Sequence, residues 1–180
     1  MNICVFCSSA SGLAQPYREA ARSLGRAIAG GGHALIFGGY EMGLMGDVAR
    51  AAVDAGGQVT GVTTEGLSAK DRSVVAGIEE HRTADLSSRK DLMVSLSDAF
   101  VTLPGGLGTF DEFFSVISRV KAGEIKGPSA LLDVDAFFSP LADLLDASVE
   151  RGLNNCDWRE LCRVFTDADE LVKDLESRLV

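Results

Sequence analysis

The residues best suited to chemistry lie between Leu103 and Phe114, in the run LPGGLGTFDEFF. A short β-branched and aromatic stretch, Ala99 to Leu103, reads as a buried strand that breaks at Pro104 into a turn of Gly105, Gly106, Leu107 and Gly108. Thr109 then opens a helix whose apolar positions, Phe110, Phe113, Phe114 and Ile117, recur at helical spacing. A strand that feeds a glycine-rich turn and then a helix N-terminus is suited to an anion. The first-turn N–H groups are free, the dipole favours negative charge, and glycine lets a phosphate approach the backbone. This is neither a Walker loop nor a dinucleotide fingerprint, because Asp111 stands where the latter needs its third glycine. Glu112 lies one helical turn beyond Thr109 and could face whatever the loop holds. The same Thr109-x-x-Glu112 spacing is also that of a capping box, in which both side chains would serve only the helix end. Spacing alone leaves both readings open.

Two further turns share this placement. Ser8 to Gly12 follows a first strand, Asn2 to Cys7, and Gly38 to Gly46 follows a second, Ala34 to Phe37. In an open parallel sheet such turns share the carboxyl rim of the strands, where ligands bind at the point at which strand order reverses. A single glycine in such a turn needs no explanation beyond tight geometry. Three turns together, one with a Thr and a Glu, favour a nucleotide-sized site that includes Ser8, Gly38, Gly39 and Gly105 to Thr109.

The elements that must position these turns alternate along the chain. A helix from about Pro16 ends at Gly30 to Gly32, and a second runs to about Ala55. A third strand, Val59 to Thr63, leads into a polar segment, Thr64 to Gly77, expected as a loop or irregular helix over the site. Ile78 to Ala84 is a more polar fourth strand, and a helix from Ser87 or Ser88 to Leu96 precedes the central strand. Ala130 to Val134, a helical stripe through Phe138, Leu141, Leu144, Leu145 and Val149, Val164 to Thr166, and a helix capped by Thr166 or Asp167 complete the pattern. This order predicts an α/β fold: one doubly wound Rossmann-like domain over residues 1–180, a mostly parallel sheet of about seven strands with helices on both faces.

Composition agrees. With 180 residues, 46% hydrophobic and 24% charged, the chain can bury a sizeable core. A net charge of −9 argues against nucleic-acid polymers and anionic membranes, and no run approaches the roughly 20 apolar residues of a membrane span. Residues 133–180 carry net −7 and residues 1–132 only −2, so the glycine-rich turns lie in the nearly neutral part. The N-terminus, MNICVFCSSASG, lacks a basic n-region, which makes a cytoplasmic protein the expectation. Cys4 and Cys7 spell C-x-x-C, yet in a strand positions three apart point to opposite faces, so reduced structural thiols are expected and no zinc.

The string P-G-G-x-G-T-x-x-E at Pro104 to Glu112 resembles the LOG ("lonely guy") family of cytokinin-activating phosphoribohydrolases, often labelled lysine decarboxylases. Phe37 to Gly46 matches that family's F-G-G-x-x-x-G-L-M-G, and Leu86-Ser87-Ser88-Arg89-Lys90 stands where the family has M-H-x-R-K and shares its Arg-Lys. The resemblance implies Arg89 and Glu112 as the catalytic pair, Gly106 to Thr109 on the phosphate, Lys90 in support, and Asp71 and Ser118 as further ligand contacts. Arg89 would bridge phosphate or ribose oxygens, or favour negative charge on the departing base; the alternatives stay open. It further implies hydrolysis of a purine (AMP-like) nucleoside 5′-monophosphate, AMP or an N6-substituted AMP, to base and ribose 5-phosphate, no metal or redox cofactor, and a homodimer. A non-catalytic nucleotide or cofactor carrier of the same fold is the alternative. Ser87, Tyr40 and Arg119-Val120-Lys121 depart from the family pattern, and the last two bear on the base pocket.

Overall fold

A computed structural model describes residues 1–68 and 72–179. Seven strands form one sheet in the order β4-β3-β2-β1-β5-β6-β7, every neighbouring pair parallel. They are β1 (Asn2–Phe6), β2 (Ala34–Phe37), β3 (Val59–Thr64), β4 (Glu79–Thr83), β5 (Ala99–Thr102), β6 (Ser129–Leu132) and β7 (Cys162–Phe165). Between them run α1 (Gln15–Gly30), α2 (Gly43–Asp54), the short α3 (Glu65–Ser68), α4 (Leu86–Ser95), α5 (Leu107–Lys121), α6 (Ser139–Glu150) and α7 (Ala168–Arg178). The chain steps outward from β1 to β4, then returns to lay β5 on the other side of β1. The order therefore reverses between β1 and β5, and that is where a ligand-binding crevice opens.

The strands read as unbroken apolar runs because both faces of the sheet are covered. Ile3, Val5, Leu35, Phe37 and Val101 pack under α1, α2 and α7, whereas Cys4, Phe6, Ile36 and Phe100 pack against Met93 and Val94 of α4 and Val116 of α5. Cys4 and Cys7 fall on opposite faces, each buried as a free thiol. The polar sequence of β4, EEHRT, suits its place as an edge strand with mostly exposed side chains.

Four local readings differ in the structure. The helix after β5 opens at Leu107, not Thr109: Gly106 is its N-cap without a side-chain bond, which puts Thr109 inside the first turn. The Thr109–Glu112 capping box does not form, because Glu112 turns to Arg89. A capping box does occur at α4, where Asp85 accepts from the Ser88 amide and Ser88 serves the Asp85 N–H, so that helix begins at Leu86, a residue earlier than expected. The stripe of α6 forms a helix with Phe138 buried just before it, but no residue of the helix itself is buried, and Leu144 is exposed. No helix among the described residues is long and apolar enough to cross a membrane.

Candidate active site

The three turns expected to meet do meet. The Ser8 amide donates to the Pro104 carbonyl (3.2 Å), and the Ser8 carbonyl accepts from the Leu44 amide (2.9 Å), so Ser8 ties the β5 and β2 turns to the end of β1. Over this junction lies a cleft of about 350 Å³. Its walls are Cys7 to Ala10 after β1, Tyr40 and Met45 after β2, Leu67 and Arg72 after β3, Leu86 and Arg89 on α4, and Gly106 to Thr109 with Glu112 on α5.

At the α5 end the cradle is backbone. Phe110 is the first residue whose amide bonds back along the helix, to Gly106 O, which leaves the amides of Leu107, Gly108 and Thr109 without intrahelical partners. Added Cβ atoms at Gly106 and Gly108 would meet nothing, so the approach to these amides is open. Gly105 is needed for a different reason: a Cβ there would overlap the Thr109 side chain, which is buried beneath the turn.

Arg89 and Glu112 converge above that bend. The capping box at Asp85 fixes the start of α4 and sets Arg89 one turn in, where its side chain is 9% exposed. Arg89 Nε donates to the Val62 carbonyl (2.8 Å) and Nη1 to Glu112 Oε1 (3.1 Å). Gly38 makes room for this: a Cβ there would overlap Arg89 Nη2. Gly39 beside it has φ +82° and packs on Thr63, shaping the turn from behind. Burial pushes the Glu112 carboxyl above its ordinary value. The Arg89 charge and hydrogen bond offset part of that rise, Asp111 adds to it, and Lys90 subtracts. The result is a carboxylate held in place by one guanidinium yet readier than usual to accept a proton. Burial also pushes the Cys7 thiol well up, so it stays protonated and serves as wall rather than nucleophile.

Not every expected residue arrives. Lys90 turns out of the cleft to pair with Asp111 (2.8 Å). Ser118 is exposed and six residues beyond Glu112, about 9 Å along the helix axis. Asp71 lies outside the described residues. Conversely, motif spacing missed Arg72, Met45, Leu67 and Leu86. Arg72 reaches the cleft because the stretch behind it pairs with the β2 turn, through Glu41 N to Ser73 O (2.8 Å), Val75 N to Gly39 O (3.3 Å) and an antiparallel bridge between Tyr40 and Val74. The expectation of a loop over the site at Thr64 to Gly77 brought this stretch to the cleft but singled out neither Leu67 nor Arg72.

Known proteins match this chain along nearly its whole length. A family model described as "Possible lysine decarboxylase" matches residues 45–175. The cytokinin riboside 5′-monophosphate phosphoribohydrolase LOG3 of Arabidopsis thaliana is 37% identical over 174 residues, covering 97% of this chain and 81% of that protein. The cytokinin riboside 5′-monophosphate phosphoribohydrolase of Rhodococcoides fascians is 38% identical over 177 residues, 98% of this chain and 89% of that one. Among solved structures, a Moco carrier protein from Chlamydomonas reinhardtii superposes with a TM-score of 0.71 at 25% identity, covering 98% of each chain. On the family match and on relatives this similar over nearly all its residues, the chain belongs to the LOG family.

Proposed function

We propose that the chain is a one-domain hydrolase that breaks the N-glycosidic bond of a purine nucleoside 5′-monophosphate, releasing base and ribose 5-phosphate. The relatives' names support the reaction class. The observation that carries it to particular residues is the buried Arg89–Glu112 pair beside an open helix N-terminus in one cleft. The 5′-phosphate lies on the amides of Leu107 to Thr109, which turns remote binding energy into positioning of the ribose. As the C1′–N9 bond lengthens, its electron pair departs with N9 and positive charge builds on the sugar, which the Glu112 carboxylate stabilises. Water supplies the new C1′–O bond, Glu112 takes the water's proton, the leaving purine takes a proton from solvent on release, and Glu112 returns its own to solvent. Arg89 holds the carboxylate in one orientation and keeps it ionised until the water attacks C1′.

The decarboxylase description fits the cleft less well, since Schiff-base chemistry needs a lysine there, and among the described residues no lysine lines it, Lys90 facing Asp111 instead. A carrier would share the amide cradle but has no use for a raised carboxylate opposite it. We further place the enzyme in the cytoplasm as a homodimer, in which the exposed Phe114 on α5 and Leu144 on α6 are covered by a second copy. The deciding experiment is chromatography of base released from AMP and from adenosine. Release from the monophosphate and not from the nucleoside is expected. Equal turnover of both removes the phosphate anchor, and tight binding without release selects the carrier.

A further inference from the structure

We infer that Tyr40 is a positioning residue of this cleft: it fastens both ends of the stretch from Thr64 to Val75 and so holds Leu67 and Arg72 in place for the nucleotide. This deepens the hydrolase reading and rests on it for the identity of the ligand. The need arises in the sheet. The pairing of β2 with β3 ends at Phe37 opposite Gly61, while β3 continues three residues further, to Thr64. Thr64 is buried, so its amide and carbonyl must find partners within the protein. The Tyr40 hydroxyl serves both, accepting from the Thr64 amide (2.9 Å) and donating to the Thr64 carbonyl (3.0 Å). The Thr64 hydroxyl in turn accepts from the Leu67 amide (3.2 Å), which sets the single turn of α3 and the Leu67 side chain on the cleft wall.

The far end is held by the same residue. Tyr40 forms the antiparallel bridge with Val74, and its neighbours close it on either side, Glu41 N on Ser73 O and Val75 N on Gly39 O. Val75 is buried behind the bridge. Arg72 then lies over the Tyr40 ring, its Cζ 5.6 Å from the centroid, a cation–π distance. One side chain therefore grips the stretch where it leaves β3, through its hydroxyl, and where it returns, through its backbone and ring. Tyr40 is itself fully buried with its hydroxyl spent on Thr64, so it reaches a ligand through Leu67 and Arg72.

The consequence falls on binding rather than on bond cleavage. A wall fastened before the nucleotide arrives has no ordering left to do, whereas a loose one weakens the apparent affinity by the fraction of time it is in place. Arg89 and Glu112 are held from α4 and α5 and by each other, with Arg89 anchored on the Val62 carbonyl inside the paired part of β3. Their geometry does not depend on the clasp, so its loss raises KM and spares kcat.

The test is a cycle of four chains assayed with AMP: native, Tyr40→Phe, Leu67→Ala/Arg72→Leu, and the triple variant. Tyr40→Phe keeps the ring under Arg72 and removes both hydroxyl bonds. A KM about tenfold higher is expected, the scale of one or two lost hydrogen bonds, with kcat within about threefold. Once Leu67 and Arg72 are cut back, adding Tyr40→Phe should change KM by less than about twofold, because nothing is left for it to position. A Tyr40→Phe that lowers kcat at unchanged KM or changes neither overturns the assignment. So does a Leu67→Ala/Arg72→Leu chain with the native KM, or a triple variant in which the effects multiply, the mark of a merely structural tyrosine. If Tyr40→Phe does not fold, amide exchange of the native chain decides. Thr64 and Val75 amides protected without AMP uphold the clasp, and protection that is absent or appears only with AMP overturns it. If AMP binds without releasing its base, the hydrolase reading fails on its own and the same cycle is read as calorimetric Kd. No binding of AMP overturns both.

Discussion

Among the carboxylates that arginines hold in this molecule, two are opposites. Asp47, on α2, is 2% exposed and receives hydrogen bonds from three guanidinia: Arg18 (2.8 and 3.1 Å), Arg22 (3.1 and 3.3 Å) and Arg50 (3.5 Å). Burial is the largest single influence on its carboxyl and acts upward, but the hydrogen bonds and charges of Arg18 and Arg22 together outweigh it and hold it below its ordinary value. Glu112 has one guanidinium, itself buried and shared with the Val62 carbonyl, and burial wins. The first arrangement clamps α1 to α2; the second stores a proton acceptor beside a ligand site. Cavity size does not separate them, since the cleft beside Asp47, about 540 Å³, is the larger. What separates them is the balance of partners against burial, together with the open amides next to Glu112 alone.

The largest test of this contrast is Glu112→Gln. The amide oxygen still accepts from Arg89, so the fold keeps its bond while the charge is lost. Turnover should fall by more than about 100-fold, the usual scale for removing a general base or a charge that stabilises the transition state. Stability should not fall with it. A carboxyl whose folded value is raised binds its proton more tightly when folded, so its contribution is favourable at low pH and is lost as pH rises from the unfolded to the folded value. At neutral pH the ionised group therefore costs stability, and Glu112→Gln should melt at the same temperature as the native chain or higher. A marked drop in Tm together with lost turnover would make Glu112 a structural partner of Arg89 instead.

Asp47→Asn should do the reverse. A depressed carboxyl contributes stability above its unfolded value, and the contribution disappears as pH falls through the folded one. The variant should lose about 1–2 kcal/mol at neutral pH, less than a fully buried pair would, because Arg18, Arg22 and Arg50 are 32–42% exposed and can be rehydrated. Thermal melts should show the gap from the native chain closing below the ordinary carboxylate value of 3.8, with turnover at neutral pH within about threefold. A gap that persists unchanged in acid would mean that Asp47 acts through packing rather than charge.

The same contrast explains what could be read in advance. The fold was legible because its signals are local: glycine punctuation, apolar runs for β1, β5 and β6, helical stripes on α1 and α7. Arg89 and Glu112 were legible only through motif resemblance, since nothing in their spacing says that two helices, α4 and α5, bring them within 3.1 Å. The Thr109–Glu112 spacing left a capping box open that the helix does not use, because Gly106 is its N-cap without a side-chain bond. Arg72 was illegible because its position depends on a hydrogen-bonded return of residues 73–75 to the β2 turn. The three-arginine clamp on Asp47 was missed for a related reason: two of its partners, Arg18 and Arg22, lie 29 and 25 residues away, on another helix.

Lys90 supplies the smallest effect and the finest division of the comparison. It adjoins Arg89 in sequence, and the family resemblance gives it a part in binding. Successive positions on a helix do not share a face, however, and one residue of rotation turns its ammonium to Asp111 on the outside, with Asp111 68% exposed. An ion pair of that kind is worth only about 0–1 kcal/mol. It reaches the site solely through the Glu112 carboxyl, which the Lys90 charge lowers and the Asp111 charge raises. Lys90→Ala removes the first and leaves the second, so the acidic limb of the pH–rate profile should move upward by a fraction of a unit, with turnover at the optimum within about threefold. Asp111→Asn should move the same limb downward. Opposite displacements identify a remote pair acting through Glu112, whereas a large loss of phosphate affinity in Lys90→Ala would return that side chain to the ligand.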